Sequence, residues 1–272
     1  MRRVDAAQLW LLSVEAVRDA LRRRVVLVVV VICLLCLAML NSCTSCDADI
    51  QVTGDISRSL DVLGWAGFGV FCVLSLWIIT LAGLLAADHL TQSLSDGSAL
   101  LVLSRPVGRE TFALARLAGS LVVSLGAGLV LLGGATFLLS ARSGLDVEPA
   151  LFATLACVTS SLCVAACAMT ASLYLPRVAI FLLVFVGVAV VSVLNLVSIS
   201  GVELHGLYHV VDRFGPPFAS SIALSLAPWS GREPEGLSAL QVGLRLLLWA
   251  VAGLAVLAFC FRRREIPGIE ER

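Results

Sequence analysis

Residues 150–200 read ALFATLACVTSSLCVAACAMTASLYLPRVAIFLLVFVGVAVVSVLNLVSIS, and Arg177 is the only formally charged side chain among them. Two apolar runs, about 150–172 and 178–200, each reach the roughly 20 residues with which a helix crosses about 30 Å of hydrocarbon. Little more than Tyr174-Leu175-Pro176-Arg177 separates them. Pro ends the first helix and Arg fixes the side of the membrane on which the turn lies. The stretch is therefore a tight helical hairpin inside a membrane. Along its first run Ala153, Cys157, Ser161 and Ala165 recur every four residues, with Ala156, Ser160 and Ala168 close by. Such a small-residue face lets helices approach closely in lipid.

The rest of the chain follows the same rule. Of 272 residues 59% are apolar and 14% charged, with a mean hydropathy of +1.00, far outside the range of a soluble domain. Four further stretches, about 24–41, 63–87, 117–140 and 239–261, are long and apolar enough to span. The expectation is an all-α integral membrane protein with six transmembrane helices. It forms a single domain over 1–272, because no polar interval is long enough to bury a core of its own. The first run, with Leu40-Asn41-Ser42-Cys43 at its end, also faintly resembles a lipoprotein signal. The long polar lead, Asn41 and the five later spans favour a true first span.

Six spans place both termini on one side. On that side fall Arg2, Arg3, Arg18, Arg22, Arg23, Arg24, Arg105, Arg109, Arg116, Arg177, Arg262, Arg263, Arg264 and Arg272. Opposite them stand only Arg58, Arg142, Arg213 and Arg232, with Arg245 inside the sixth span. The positive-inside rule makes the first side cytoplasmic. All 19 basic residues are Arg, and the formal net charge is zero. Without Lys the chain has no P-loop and no Schiff-base amine, and its charge makes no case for nucleic acid. If ATP is used, another subunit holds it.

Ahead of the first span, Trp10, Val14, Val17 and Leu21 recur at helical spacing, while Glu15, Arg18, Asp19 and Arg22 fall largely on the other face. Residues 1–23 are therefore expected as an amphipathic elbow helix lying in the inner leaflet, with arginines on lipid phosphate. A solvated leader continuous with the first span is the alternative.

Between spans two and three the chain from Asp88 to Arg116 passes an acidic residue, then Gly97-Ser98. An apolar turn, Ser104-Arg105-Pro106-Val107-Gly108-Arg109-Glu110, and a run into span three follow. Pro106 and Gly108 break the helix. Leu100, Leu101, Val102 and Leu103 form an apolar knob suited to a groove on a soluble partner, and Arg105 and Arg109 can pair with acids or lipid phosphate. An interfacial loop anchored by arginine explains the charges but not the length, given how short the loop at Pro176 is.

This loop resembles the permease subunits of type-2 ABC transporters. Their pattern is an acidic residue after span two, Gly-Thr, a Leu-rich turn, Ser-Arg-Pro-Val-Ser-Arg and a helix into span three. Ser98 stands here for the Thr and Gly108 for the second Ser. The six-span permeases linked to multicopper-enzyme maturation are the most similar subgroup, and Leu207-Tyr208-His209-Val210-Val211 is a weaker likeness to them. The resemblance implies a cytoplasmic coupling helix whose ATPase-facing residues are Gly97, Ser98, Leu100, Leu101, Leu103, Arg105, Pro106, Arg109 and Glu110. It also implies a separate ATPase subunit that binds ATP and Mg, a second permease copy, contact with membrane lipid, and residence in a bacterial cytoplasmic membrane. No catalytic residue, metal or cofactor is expected in this chain.

The spans hold almost no ionisable groups, which argues against a proton- or ion-driven carrier. Arg245, early in span six, is expected to snorkel to the outer face, and Asn195 to make an interhelical hydrogen bond. On the outer side Cys43 and Cys46 form a CxxC able to close a disulfide. His205 and His209 stand four apart in a segment that suits an amphipathic helix ended by Gly215-Pro216-Pro217. A membrane scaffold with an outer thiol or metal site is the alternative function. There is no HExxH and no GxSxG, so an intramembrane enzyme is disfavoured.

Overall fold

Proline, glycine and charge divide the chain into helices. The computed structural model describes residues 6–21, 31, 34, 35, 38, 39, 56–95, 108–199, 206–230 and 238–263. Among these the regular elements are α1 (Ala6–Leu21), α2 (Ile56–Ser95), α3 (Arg109–Ser143), α4 (Val147–Ser172) and α5 (Arg177–Ile199). After them come α6 (Leu207–Phe214), α7 (Phe218–Ser225), α8 (Ala227–Ser230) and α9 (Ala239–Arg263). Among the described residues five stretches are long and apolar enough to cross a membrane: Trp65–Gln92, Glu110–Ala141, Val147–Ser172, Arg177–Ile199 and Ala239–Arg263. They overlap the second to sixth expected spans. The first, 24–41, lies almost wholly outside the described residues. The second and third helices overrun their expected limits because nothing between residues 88 and 95, or between 109 and 116, breaks a helix.

The turns follow from local chemistry. α3 stops at Gly144, whose φ of 64° is left-handed and whose N–H donates to the Ser140 carbonyl at 3.0 Å, a conformation that favours glycine. In the α4–α5 hairpin, the Tyr174 N–H donates to the Ala171 carbonyl at 3.0 Å, and the Pro176 carbonyl accepts from Ile180 at 3.2 Å. Proline thus serves as the flank of a helix that needs no N–H from it.

α2 lies at the centre and is the most buried of the five, whereas α3 and α9 are mostly open to the surroundings. It packs on α3, α4 and α5, while α4 also carries α9 on its other flank. The outward faces remain apolar, as shown by Leu151 and Leu155 on α4, Leu182 and Phe185 on α5, and Leu244 and Leu248 on α9. Around a bundle of such helices this is a surface for lipid rather than water. Ahead of the bundle, α1 packs along α3, and a Cβ added at Gly119 would stand 2.5 Å from the Ala16 Cβ.

One end of the bundle was not legible in the sequence. α6 forms where an amphipathic helix was expected and stops at Gly215, with Tyr208, Val210 and Phe214 exposed. The chain then turns inward, and α7 packs on α2, α4, α5 and α9 with Phe218, Ile222 and Leu226 buried. α8 closes the segment, its Trp229 ring edge-on to Phe71 at 5.7 Å. The Trp229 indole N–H donates to the Asp146 carbonyl at 2.9 Å. Arg245 on α9 lies at this end, where its Nε donates to the Gly215 carbonyl at 2.8 Å. Trp249 donates to the Phe214 carbonyl at 2.8 Å. Both serve carbonyls that the end of α6 leaves without helical donors. A run as short as 218–230 bracketed by prolines carries no periodic signal of burial, and only the four surrounding helices create it.

Gly119→Ala is expected to lower stability by about 1–3 kcal/mol, the range for overpacking a close contact. Adding Ala16→Gly should recover most of that loss, as read by thermal unfolding in detergent micelles.

Candidate functional site

The loop singled out by the sequence joins α2 to α3, so the site is the end of the bundle from which it springs. Gly97, Ser98, Leu100, Leu101, Leu103, Arg105 and Pro106 lie outside the described residues, as do Cys43, Cys46 and His205. What is described is how the two ends of the loop are mounted. Gly108 is extended, with φ −67° and ψ 136°, and α3 begins at the next residue. Its carbonyl accepts the Phe112 N–H at 3.1 Å. Arg109 and Glu110 therefore occupy the first turn, where an acid complements the positive end of the helix dipole. Glu110 also faces Arg262 at the end of α9, 3.7 Å away, and both side chains are solvated. An exposed pair of this kind contributes about 1 kcal/mol at most.

Beneath that turn the anchoring is apolar. Phe112 is buried and meets Phe261 of α9 with ring centroids 6.2 Å apart. Leu90, Leu117, Met169, Leu173 and Leu257 complete the cluster, which draws on α2, α3, α4 and α9. Arg116, one turn further along, is buried, with its guanidinium carbon 5.4 Å from the Phe112 ring centre. The first turn of α3 is thus wedged among three other helices.

The other end of the loop is tied by charge. Arg177, first residue of α5, donates to and pairs with Asp88 near the end of α2. The carboxylate side chain is 11% exposed and the guanidinium 58%. Arg177 also lies 5.8 Å from the Phe181 ring. Read from sequence, Arg177 only marks a side of the membrane and Asp88 only holds a place in a motif. A signal for their pairing was present: Asp88 is the sole acid between residues 62 and 95, and Arg177 is the sole charge of the hairpin.

α1 attaches through a line the amphipathic pattern did not mark. Ser13 and Ala16 are buried against α3, whereas Trp10 is 70% exposed and Val14 47%. Val17 is half-buried, and the Leu21 side chain lies outside the described residues. Glu15 and Arg18 are exposed as expected. The small residues went unnoticed because hydrophobic periodicity weights bulk, while close helix contact selects for its absence. The Trp10 and Val14 stripe is left free of the bundle.

Elsewhere, His209 is exposed on α6. Among the described residues no group of three or more His, Cys, Asp or Glu is placed to hold a metal. Cys72, Cys157, Cys163, Cys167 and Cys260 are free thiols. Asn195 is buried, but its Oδ1 makes no hydrogen bond among the described residues. The hydroxyls of Ser75, Ser160, Ser161 and Ser192 share that condition. Unmet polar atoms in a protein interior cost about 1–3 kcal/mol each.

No protein-family model matches the chain, and no curated protein is significantly similar to it.

Arg177→Ala leaves a nearly buried carboxylate without its cation and is expected to cost about 1–2 kcal/mol. That is below the 3–5 kcal/mol of a fully buried pair because the guanidinium is solvated. Glu110→Gln should change stability by less than about 0.5 kcal/mol. Unfolding of the three proteins side by side in the same micelles measures both.

Proposed function

We propose that the chain is the membrane-spanning permease subunit of a type-2 ABC transporter, with the ATPase on a separate polypeptide and a second permease copy opposite. The observation that supports this reading best is the mounting of residues 96–107. One end of this loop continues α2, the most enclosed helix, and the other is seated through Phe112 in a buried cluster of four helices. A loop that only skirted the membrane would need neither anchor.

In this reading the arginine-rich end is cytoplasmic, and the chain sits in a bacterial inner membrane. Closure of the ATPase dimer on ATP presses the helix around Ser98 to Ser104. Pro106 and Gly108 pass the displacement to the first turn of α3, and Phe112 delivers it to α9 and α4. Because Asp88 binds Arg177, α2 cannot tilt without drawing the α4–α5 hairpin along. α1 rides on α3 through the Ala16 and Gly119 contact and offers Trp10, Leu11 and Val14, all exposed, to the inner leaflet as an interfacial elbow. Force applied at one loop thereby reaches all the described spans.

Leu101→Glu puts a charge into the apolar knob and is expected to abolish co-purification of the ATPase while leaving the permease folded. Intact co-purification would overturn the coupling role. Cys43→Ser with Cys46→Ser is expected to leave complex formation and transport unchanged. Loss of activity with the ATPase still bound would favour a scaffold that works through its outer thiols.

A further inference from the structure

At the end of the bundle away from Asp88 and Arg177, two side chains of α9 serve main-chain carbonyls of another helix. Arg245 donates to the Gly215 carbonyl through Nε at 2.8 Å and through Nη2 at 2.5 Å. Trp249, one turn further along, donates its indole N–H to the Phe214 carbonyl at 2.8 Å. In water the last carbonyls of a helix are satisfied by solvent. In hydrocarbon there is no solvent to do so, and donors from a neighbouring span are what a helix end below the headgroups needs.

The register of α9 gives the depth. Arg262 and Arg263 close that span at its last turn. About 30 Å of hydrocarbon takes up about 20 residues at 1.5 Å each, which puts the other boundary near Val242. Arg245 lies three residues and Trp249 seven residues inside that point, or about 5 and 10 Å. Helical side chains lean toward the N-terminus of their helix, here toward the boundary. The end of α6 is therefore held within about 10 Å of the boundary, and an amphipathic helix lying in a membrane surface sinks about 5–10 Å.

α6 has the sides such a helix requires. At roughly 100° per residue, the exposed Val210 and Phe214 stand between the half-buried Val211 and the exposed pair His209 and Arg213. Around its axis the helix thus presents a bundle side, an open apolar side and a polar side, the order of protein, lipid and water. Tyr208 is exposed as well, and so are Trp65 of α2 and Trp249 of α9. Trp65 belongs to the same end: two residues on, a Cβ at Gly67 would be 3.3 Å from Leu145 in the α3–α4 turn, and the adjoining Asp146 accepts from Trp229. Tyr and Trp gather at the headgroup level of membranes.

We propose that α6 is an interfacial anchor. Its Val210 and Phe214 side sits in lipid at the boundary of acyl chains and headgroups, in the leaflet opposite the Asp88 and Arg177 end, with His209 and Arg213 among the headgroups. Lipid is the occupant because Leu244 and Leu248, each next in sequence to a residue that holds α6, are already on the apolar outer surface. Since α6 also packs on α5, lipid that holds α6 sets the height of α5 and α9 in the bilayer. This does not rest on the transporter reading.

The test photolabels the unaltered full chain in nanodiscs of phosphatidylcholine and phosphatidylglycerol. Two lipid probes carry a diazirine on the acyl chain, one next to the headgroup and one at the chain end. Peptide mapping should find adducts within 207–214 from the shallow probe and far fewer from the deep one, while Phe185 and Val186, midway along α5, are labelled by the deep probe. No adduct in 207–214 from either probe while α5 is labelled places α6 in water and overturns the anchor. Adducts that form in nanodiscs holding one chain and vanish in those holding two put a second copy on that side, and overturn it as well. A second measurement uses Phe214→Trp and His209→Trp, each read by difference from the unaltered chain. The first should be quenched by lipid brominated near the headgroup and shielded from aqueous acrylamide, and the second the reverse. Equal quenching of both by acrylamide overturns the proposal.

Discussion

The arrangement depends on how closely α4 and α5 can approach α2. At Gly83 the valines of both neighbours occupy the space where a Cβ would stand, so three helix axes converge at a point that any larger residue would force apart. In lipid this matters more than in water. Hydrocarbon chains are as apolar as leucine, so helices associate through contact rather than by hiding apolar surface. The same device recurs at Gly119, where α1 lies on α3, and at Gly253, where a Cβ would be 3.3 Å from the Ala166 Cβ. Small residues thus set the spacing at three seams, and the bulky ones are left to fill the core or face the bilayer.

That spacing has a consequence for polar groups. Helices that approach closely bring serine and cysteine of different spans into the same layer, as with Ser75, Cys157 and Ser161, and leave little freedom to turn them elsewhere. At the two ends of the bundle the chain deals with its polar atoms directly. Arg245, Trp249 and Trp229 donate to main-chain carbonyls around α6 and α4, and Asp88 binds Arg177. The ends are held by specific hydrogen bonds, whereas the middle is held by fit.

The clues to function remained local. The residues that resemble a permease pattern lie mainly between Asp88 and Arg116, with a weaker likeness at Leu207 to Val211, and residues 96–107 are outside the described residues. What the three-dimensional arrangement adds is the setting of the two ends of that loop, through Phe112 on one side and Asp88 on the other. Neither anchor was evident from spacing. Phe112 is a single aromatic in a run of small residues, and its partner Phe261 lies at the far end of the chain. Asp88 and Arg177 are separated in sequence by two whole helices, α3 and α4, and meet because the α4–α5 hairpin returns to the end of α2.

The sequence by itself determined the helical class, the positions of five apolar spans, though not the overrun of α2 and α3, the hairpin at Pro176 and the amphipathic helix ended by Gly215. These follow from hydrophobic run length and from proline and glycine, which act on the backbone where they stand. Only the tertiary structure decided that α2 is the central helix, that α1 attaches by Ser13 and Ala16 instead of its apolar stripe, and that residues 218–230 enter the bundle. Each of these depends on which surfaces meet, and in a chain whose spans are apolar all round, hydrophobicity does not distinguish one face from another. Shape does, and shape is settled only when the neighbouring helix is in place.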